Sequence, residues 1–190
     1  MKIFRTALQM LLLMTLLTGV AYPLLVTGVT QVIFPAQANG SLLYRDHKPV
    51  ASALLAQNMT DPRYFWARPS AGNFDGMASG GSNYGQSSLD LMQQWKTRIT
   101  QWQQSTDQTK PVPVELIQAS ASGLDPQISL AAANYQLSRV AKSRGLEEKQ
   151  VRQILAQYID RSGWFTGVPM VNVMILNLAL DQQDVSHATR

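Results

Sequence analysis

Hydrophobic positions fall into two regimes along this chain. From Ala7 to Phe34 they run almost unbroken (ALQMLLLMTLLTGVAYPLLVTGVTQVIF), and no charged residue occurs between Arg5 and Arg45. A bilayer core about 30 Å thick needs roughly 20 helical residues, so Leu8 to Ile33 is long enough to span it with tilt. The polar members of the run are Gln9, Gln31 and four threonines, whose hydroxyls can bond back to the helix's own carbonyls. Pro23, near the middle, removes the N–H that the Gly19 carbonyl would accept, and a glycine makes the resulting kink cheap. A cleaved signal peptide is the rival reading, because Lys2 and Arg5 give a basic start and Ala36-Gln37-Ala38 has the A-x-A form of a cleavage site. The apolar run, however, is about twice the usual 7–15 residues of a signal-peptide core. An uncleaved anchor is expected.

After Pro35 the pattern breaks into short runs and then settles into helical spacing. Pro35 to Ser41 (PAQANGS) reads as a turn-rich exit, with Asn39-Gly40 as a hairpin turn and Ser41 to Tyr44 as the strand after it. Val50 to Leu55 is ambiguous between strand and helix. Arg63 to Pro69 (RYFWARP) packs three aromatics between two arginines. It reads as a strand end with stacked arginines or as a docking surface, since aromatics and arginine dominate interface hot spots. Ser70 to Ser88 holds five glycines and five serines in nineteen residues, and a loop of that length is usually functional or disordered.

Four helices follow. Ser87 and Asp90 form a capping-box-like start to the first, with Leu91, Trp95, Ile99 and Trp102 along one face. Lys110 to Ser122 alternates Val112, Val114 and Leu116 around two prolines, as an edge strand would. Gly123 to Pro126 is a turn with an X-Pro stop. Ser129 caps a helix bearing Leu130, Ala133, Leu137, Val140 and Ala141, closed by Lys142, Arg144 and Gly145. Glu147 and Glu148 open the third, with Val151, Ile154, Leu155 and Tyr158 as its stripe. The last, Val171 to Asp184, contains Asn172 and Asn177 and is too short to cross a bilayer, so it reads as a buried core helix. The expected fold class is α+β: a short N-terminus (residues 1–6), one transmembrane helix (7–34) and one small mixed helix/strand extracytoplasmic domain (35–190).

Composition narrows the function. The chain is +4, and without Lys2 and Arg5 it holds 14 basic against 12 acidic residues, too balanced for a nucleic-acid footprint. There is no cysteine, which excludes disulfides and thiolate metal sites. His47 and His187 stand 140 positions apart without clustered carboxylates, which disfavours a histidine metal site or a Ser-His relay. A P-loop is excluded because no lysine follows a glycine, and Gly80 to Tyr84 fails the nucleophile elbow at its last glycine. Asp181 and Asp184 share a helix face, where a carboxylate pair is usually solvated surface. Ser79, Gly80, Gly81, Ser82 and Asn83 have ligand-binding character, since glycines let backbone amides turn towards an anion and the side chains add hydrogen bonds. A structural turn that buries its own amides accounts for the same residues. Read from residues alone, a tethered envelope enzyme lacks a constellation, and a membrane-tethered envelope scaffold unrelated to transport fits.

A series of short motifs goes further. Tyr22 to Leu25 (YPLL), Phe34 to Leu42 (FPAQANGSL), Arg68 to Ala71 (RPSA), Ala78 to Asn83 (ASGGSN), Val112 to Leu116 (VPVEL) and Ala119 to Pro126 (ASASGLDP) occur in order. Arg139 to Ala141 (RVA), Val171 to Val173 (VNV) and Asn177 to Asp181 (NLALD) complete them. The chain resembles, along its whole length, the C subunit of the bacterial Kdp potassium-transporting ATPase. Ala51 to Met59 (ASALLAQNM) departs from that family's G-S-x-L-I-G-Q-x-F by losing two glycines and an aromatic. The resemblance implies a non-catalytic accessory subunit of a high-affinity potassium uptake pump. Its partners would be an ATP-hydrolysing P-type subunit and a potassium-translocating subunit. It would be needed for assembly and would act as a catalytic chaperone raising the ATP affinity of the ATPase subunit. It would hold no cofactor of its own, with ATP reached through the complex, and Ser79 to Asn83 is the run compared with an ATP-contacting signature.

Topology bears on that last point. Lys2 and Arg5 precede the span and no positive charge follows until Arg45, so the positive-inside rule places the N-terminus in the cytoplasm. The expected location is the bacterial inner membrane, single-pass, with the C-terminal domain periplasmic, where ATP is scarce. A nucleotide effect that is indirect or absent is therefore expected. A Ser82→Cys variant of this cysteine-free chain should react with a membrane-impermeant thiol reagent in intact spheroplasts. Labelling only after cell breakage would reverse the orientation.

Overall fold

The structure is a computed structural model that describes residues 2–106, 110–161 and 167–188, with the side chains from 184 onward excepted. The chain divides into two units, Met1–Leu42 and Leu43–Arg190. The first is helical: α1 (Lys2–Leu16), a π-turn (Leu17–Ala21), α2 (Tyr22–Ile33) and a short α3 (Pro35–Ala38). Lys2–Ile33 is long and apolar enough to cross a membrane. The back-bonding threonines are present, Thr18 donating to the Met14 carbonyl at 2.7 Å and Thr30 to the Val26 carbonyl at 2.9 Å. Pro23 is accommodated not by a simple loss at Gly19 but by the π-turn that precedes it, in which the Tyr22 N–H reaches back to the Leu17 carbonyl.

Asn39-Gly40 does not turn a hairpin. Asn39 closes α3, its amide donating to the Pro35 carbonyl at 2.6 Å, and Gly40 takes φ +84°. The hairpin comes a few residues later, between β1 (Leu42–Arg45) and β2 (Lys48–Ser52). Its turn is Asp46-His47, with φ +50° and +62°, the two left-handed residues of a primed turn. The Val50 to Leu55 ambiguity resolves as the end of β2 followed by a turn closed by a Ser52–Leu55 bridge.

The second unit is built on α5 (Leu130–Arg144), and its local chemistry is as the sequence dictates. Ser129 accepts the Ala132 N–H as N-cap, and Gly145 at φ +67° ends the helix. Ala132, Ala133, Leu137, Val140 and Ala141 are buried. Helix α6 (Glu148–Gln157) opens on a complete Glu147/Gln150 capping box and buries Val151, Ile154 and Leu155, while Tyr158 lies at its end, exposed. The long helix α4 (Leu89–Thr106) is capped by Ser88, not Ser87, whose hydroxyl accepts the Leu91 N–H at 3.4 Å. Trp102 is its buried anchor, donating through Nε1 to the Leu116 carbonyl at 3.0 Å.

A three-stranded antiparallel sheet, ordered β3-β5-β4, lies beside α5 and α7 (β3 Gln127–Ser129, β4 Ile159–Asp160, β5 Met170–Asn172, α7 Val173–Ala188). Val171 stands at its centre, paired with Ile128 on one side and Ile159 on the other. These strands of two or three residues are too short for a period-two pattern, and β5 falls where the apolar pattern predicts the first turn of the last helix. Conversely, Lys110 to Ser122 forms no strand. Pro111 and Pro113 cannot donate to a ladder, and Val114–Leu116 is a single 3₁₀ turn that drives Leu116 into the core.

Arg63 to Pro69 forms no strand: Phe65 and Ala67 are buried and Trp66 packs against the core, while Arg63 stays exposed. Phe65 is fully buried. The Asn177 side chain accepts the Phe65 N–H and donates to the Phe65 carbonyl, both at 2.8 Å. Asn177→Leu removes both partners in a buried site, at about 1–3 kcal/mol per orphaned group. Urea unfolding of the detergent-solubilised chain, followed by tryptophan fluorescence, should show that loss. Gln153→Leu on the exposed face of α6 should change stability by less than about 0.5 kcal/mol.

Candidate functional site

The glycine-rich loop is held by a second loop, residues 119–123, rather than by a helix or strand. Ser120 donates its N–H to the Pro69 carbonyl at 2.9 Å, fixing the start. The Ser122 carbonyl then accepts both the Gly80 N–H and the Ser79 hydroxyl at 2.9 Å. Gly123 sits at φ +70°, and a Cβ there would lie 3.0 Å from the Gly80 carbonyl oxygen and the Ser70 hydroxyl. At Gly81 a Cβ would approach the Ala121 carbonyl oxygen to 3.3 Å. At Gly80 it would meet nothing within 4 Å.

The five residues singled out in the sequence thus differ in what they do. Ser79 and Gly80 spend donors on Ser122, Gly81 is a close-packed backbone, and Asn83 takes φ +53°. Ser79 lines a groove of about 490 Å³ with Leu54, Leu55, Arg68, Ser122 and Asp125 among its walls. The Arg68 guanidinium lies 3.6 Å from Asp125, and its other terminal nitrogen reaches the Ala119 carbonyl at 3.5 Å. Gly80, Gly81, Ser82 and Asn83 are not among those walls. Met77 in the same loop is 95% exposed, and Leu89 at the α4 start is 81% exposed.

Asp181 is not solvated surface. It pairs with Arg144 at 2.9 Å and with Arg45, and accepts the Tyr64 hydroxyl at 3.1 Å. The Asp184 and His187 side chains lie outside the described residues, and His47 sits on the hairpin turn. The departure at Ala51 to Met59 is absorbed by packing: Ala56 is buried with its N–H on the Leu124 carbonyl at 2.8 Å, and Met59 packs on the core.

Arg139, a buried cation with no local sequence motif to mark its role, lies 4.0 Å over the Trp66 ring and donates to the Pro62 carbonyl at 2.7 Å and to Gln136 Oε1 at 2.8 Å. Burial pushes its pKa down to about 10, against a smaller opposite pull from Asp61. It stays charged at neutral pH. Because the folded value is the lower one, the unfolded chain holds more protons from about 10 up to the ordinary guanidinium range. This group's contribution to stability therefore rises with pH through that window. The available signal was its place on the buried face of α5, one turn after Gln136.

The glycine geometry makes a graded prediction. Gly80→Ala should leave stability within about 0.5 kcal/mol of wild type. Gly123→Ala, forced to a left-handed φ against two oxygens, should cost about 1–3 kcal/mol and open the Ser70–Ser88 loop to limited proteolysis. Equal protection of that loop in the two variants would show that the loop pairing does not hold it.

Comparison with known proteins places the chain. Residues 4–182 match the family described as KdpC, the c chain of the K+-transporting ATPase. A potassium-transporting ATPase KdpC subunit of Methylibium petroleiphilum is 51% identical over 185 residues, covering 94% of this chain and 96% of that protein. The corresponding subunit of Serratia proteamaculans is 50% identical over 186 residues, covering 95% and 98%, and that of Polaromonas naphthalenivorans is 51% identical over 186 residues, covering 95% and 94%. Of the readings the residues left open, the unrelated scaffold therefore falls away, and the chain belongs to the KdpC family of potassium-transporting ATPase subunits.

Proposed function

We propose that this chain is a non-catalytic accessory subunit of the pump, needed to assemble its ATP-hydrolysing and potassium-translocating subunits. It is anchored by Lys2–Ile33 in the inner membrane, with the N-terminus cytoplasmic and the rest of the chain periplasmic. The charge asymmetry of Lys2 and Arg5 against an uncharged stretch to Arg45 supports that orientation. Any rise in the ATP affinity of the ATPase subunit is transmitted by protein contact.

The observation that carries this reading is how the glycine-rich loop uses its groups. The donors of Ser79 and Gly80 are spent on the Ser122 carbonyl, where a phosphate cradle would turn them outward. Among the side chains that the loop and the α4 start expose are Met77, Tyr84, Leu89 and Met92, apolar groups of the kind that meet a protein. The carboxylate and guanidinium groups around Asp181 are likewise committed to one another.

The purified chain should hydrolyse no ATP and bind it weakly, while potassium-stimulated ATPase activity of the assembled pump should fall when the chain is withheld. Met77→Asp with Leu89→Asp should lower recovery of the complex and leave the chain's circular dichroism unchanged. Tight ATP binding by the isolated wild-type chain, lost on changing Gly80 and Gly81 to valine, would replace this reading with a direct nucleotide role.

A further inference from the structure

In the membrane-length helix Pro23 withholds an N–H, and the π-turn before it takes from the Thr18 carbonyl the donor it would have in a regular α-helix. In a regular α-helix the Tyr22 N–H would serve the Thr18 carbonyl. Here it donates to Leu17 alone, across the π-turn. The next donor in the wider i+5 pattern would come from residue 23, a proline without an N–H. Nor does the Thr18 hydroxyl help, because it is committed to the Met14 carbonyl at 2.7 Å.

Thr18 stands at the middle of Lys2–Ile33, the depth at which hydrocarbon offers neither water nor any other donor. Lipid-exposed backbone groups are not left unmet there. The approach is open, since no residue of the π-turn is buried and a Cβ on Gly19 would meet only the Thr15 methyl, at 3.9 Å. Ala21 is equally small. Close approach of a second backbone is what small residues in a membrane helix permit.

We propose that the Thr18 carbonyl is the docking point for a second membrane helix, one that places a hydroxyl, amide or amine donor at the same depth. That helix belongs to a larger subunit of the pump, so this inference rests on the accessory reading above. Lipid tails cannot serve because they carry no donor. Pro23 is then a recognition residue: by withholding its N–H it leaves an acceptor that only a matching polar side chain satisfies.

The test uses the full chain expressed with the rest of the pump. Pro23→Ala restores the missing N–H and gives Thr18 a donor from its own helix. Recovery of the large subunits with this chain should then fall about three- to tenfold, the worth of one interhelical hydrogen bond. Gly19→Leu, which keeps the proline but fills the approach, should lower recovery as well, while Leu12→Ala should not. With p-benzoylphenylalanine in place of Tyr22, irradiation should cross-link a large-subunit helix bearing a hydrogen-bond donor within one turn of the attachment point. Should Pro23→Ala fail to insert, the cross-link decides alone. Wild-type recovery from Pro23→Ala overturns the proposal, as does a cross-link to lipid only, to a second copy of this chain or to a helix without a donor. A wild-type chain that recovers no large subunit overturns the accessory reading itself, and this proposal with it.

Discussion

Two amide side chains hold the second unit together by standing in for a β-strand. Gln136 on α5 accepts the Trp66 N–H at 2.8 Å and donates to the Trp66 carbonyl at 3.0 Å. Asn177 on α7 does the same for Phe65. The neighbouring carbonyls are met by arginines, Pro62 by Arg139 and Arg63 by Arg144, each at 2.7 Å. A stretch of extended chain can therefore cross an apolar interior with its polar groups paired, although no strand lies beside it. Buried amides and guanidiniums are costly unless bonded, so the helices and the segment fix one another's positions.

This explains what was legible in the sequence and what was not. The helices were, because Ser129, Gly145 and Glu147 act within a turn of their own position, and because Leu137, Val140, Val151 and Ile154 recur at the helical period. The threading of Arg63 to Pro69 was not. Its partners lie 70 to 112 positions away, and side chains, not a ladder, supply the bonds, so no alternation marks it. Asn177 was visible as a polar residue inside an apolar run, but nothing local said what it would bind. The anchor's location was plain, yet the π-turn was not, since Pro23 announces that a bond is lost and not how the preceding turn rearranges.

The candidate loop was legible in outline only. Its glycines do signal backbone need, but the need differs by position: Gly123 and Gly81 are crowded by carbonyl oxygens, while Gly80 faces open space. A sequence cannot rank them, because the crowding comes from Ser70 and Ala121, which chain separation hides. The same pairing decides the loop's chemistry. Two donors that could have met an anion, the Ser79 hydroxyl and the Gly80 N–H, are spent inside, and among the exposed residues are the thioether of Met77, the aromatic ring of Tyr84 and the aliphatic Leu89. A surface of that kind gains free energy by covering apolar area, not by binding charge.

Both units obey one rule under different solvents: every backbone donor and acceptor removed from water must find a partner. In the second unit the partners for Phe65 and Trp66 come from the same chain, which is why that segment can be irregular and still enter the core. In the membrane-length helix the chain supplies partners until Pro23 withholds one, and hydrocarbon supplies none. A soluble domain with such a gap could fill it with water at little cost. A membrane helix cannot, so the gap becomes a requirement on whatever lies beside it. A subunit whose surface carries an acceptor of this kind is incomplete alone in a directional way, and direction is what apolar packing between lipid-like side chains does not provide.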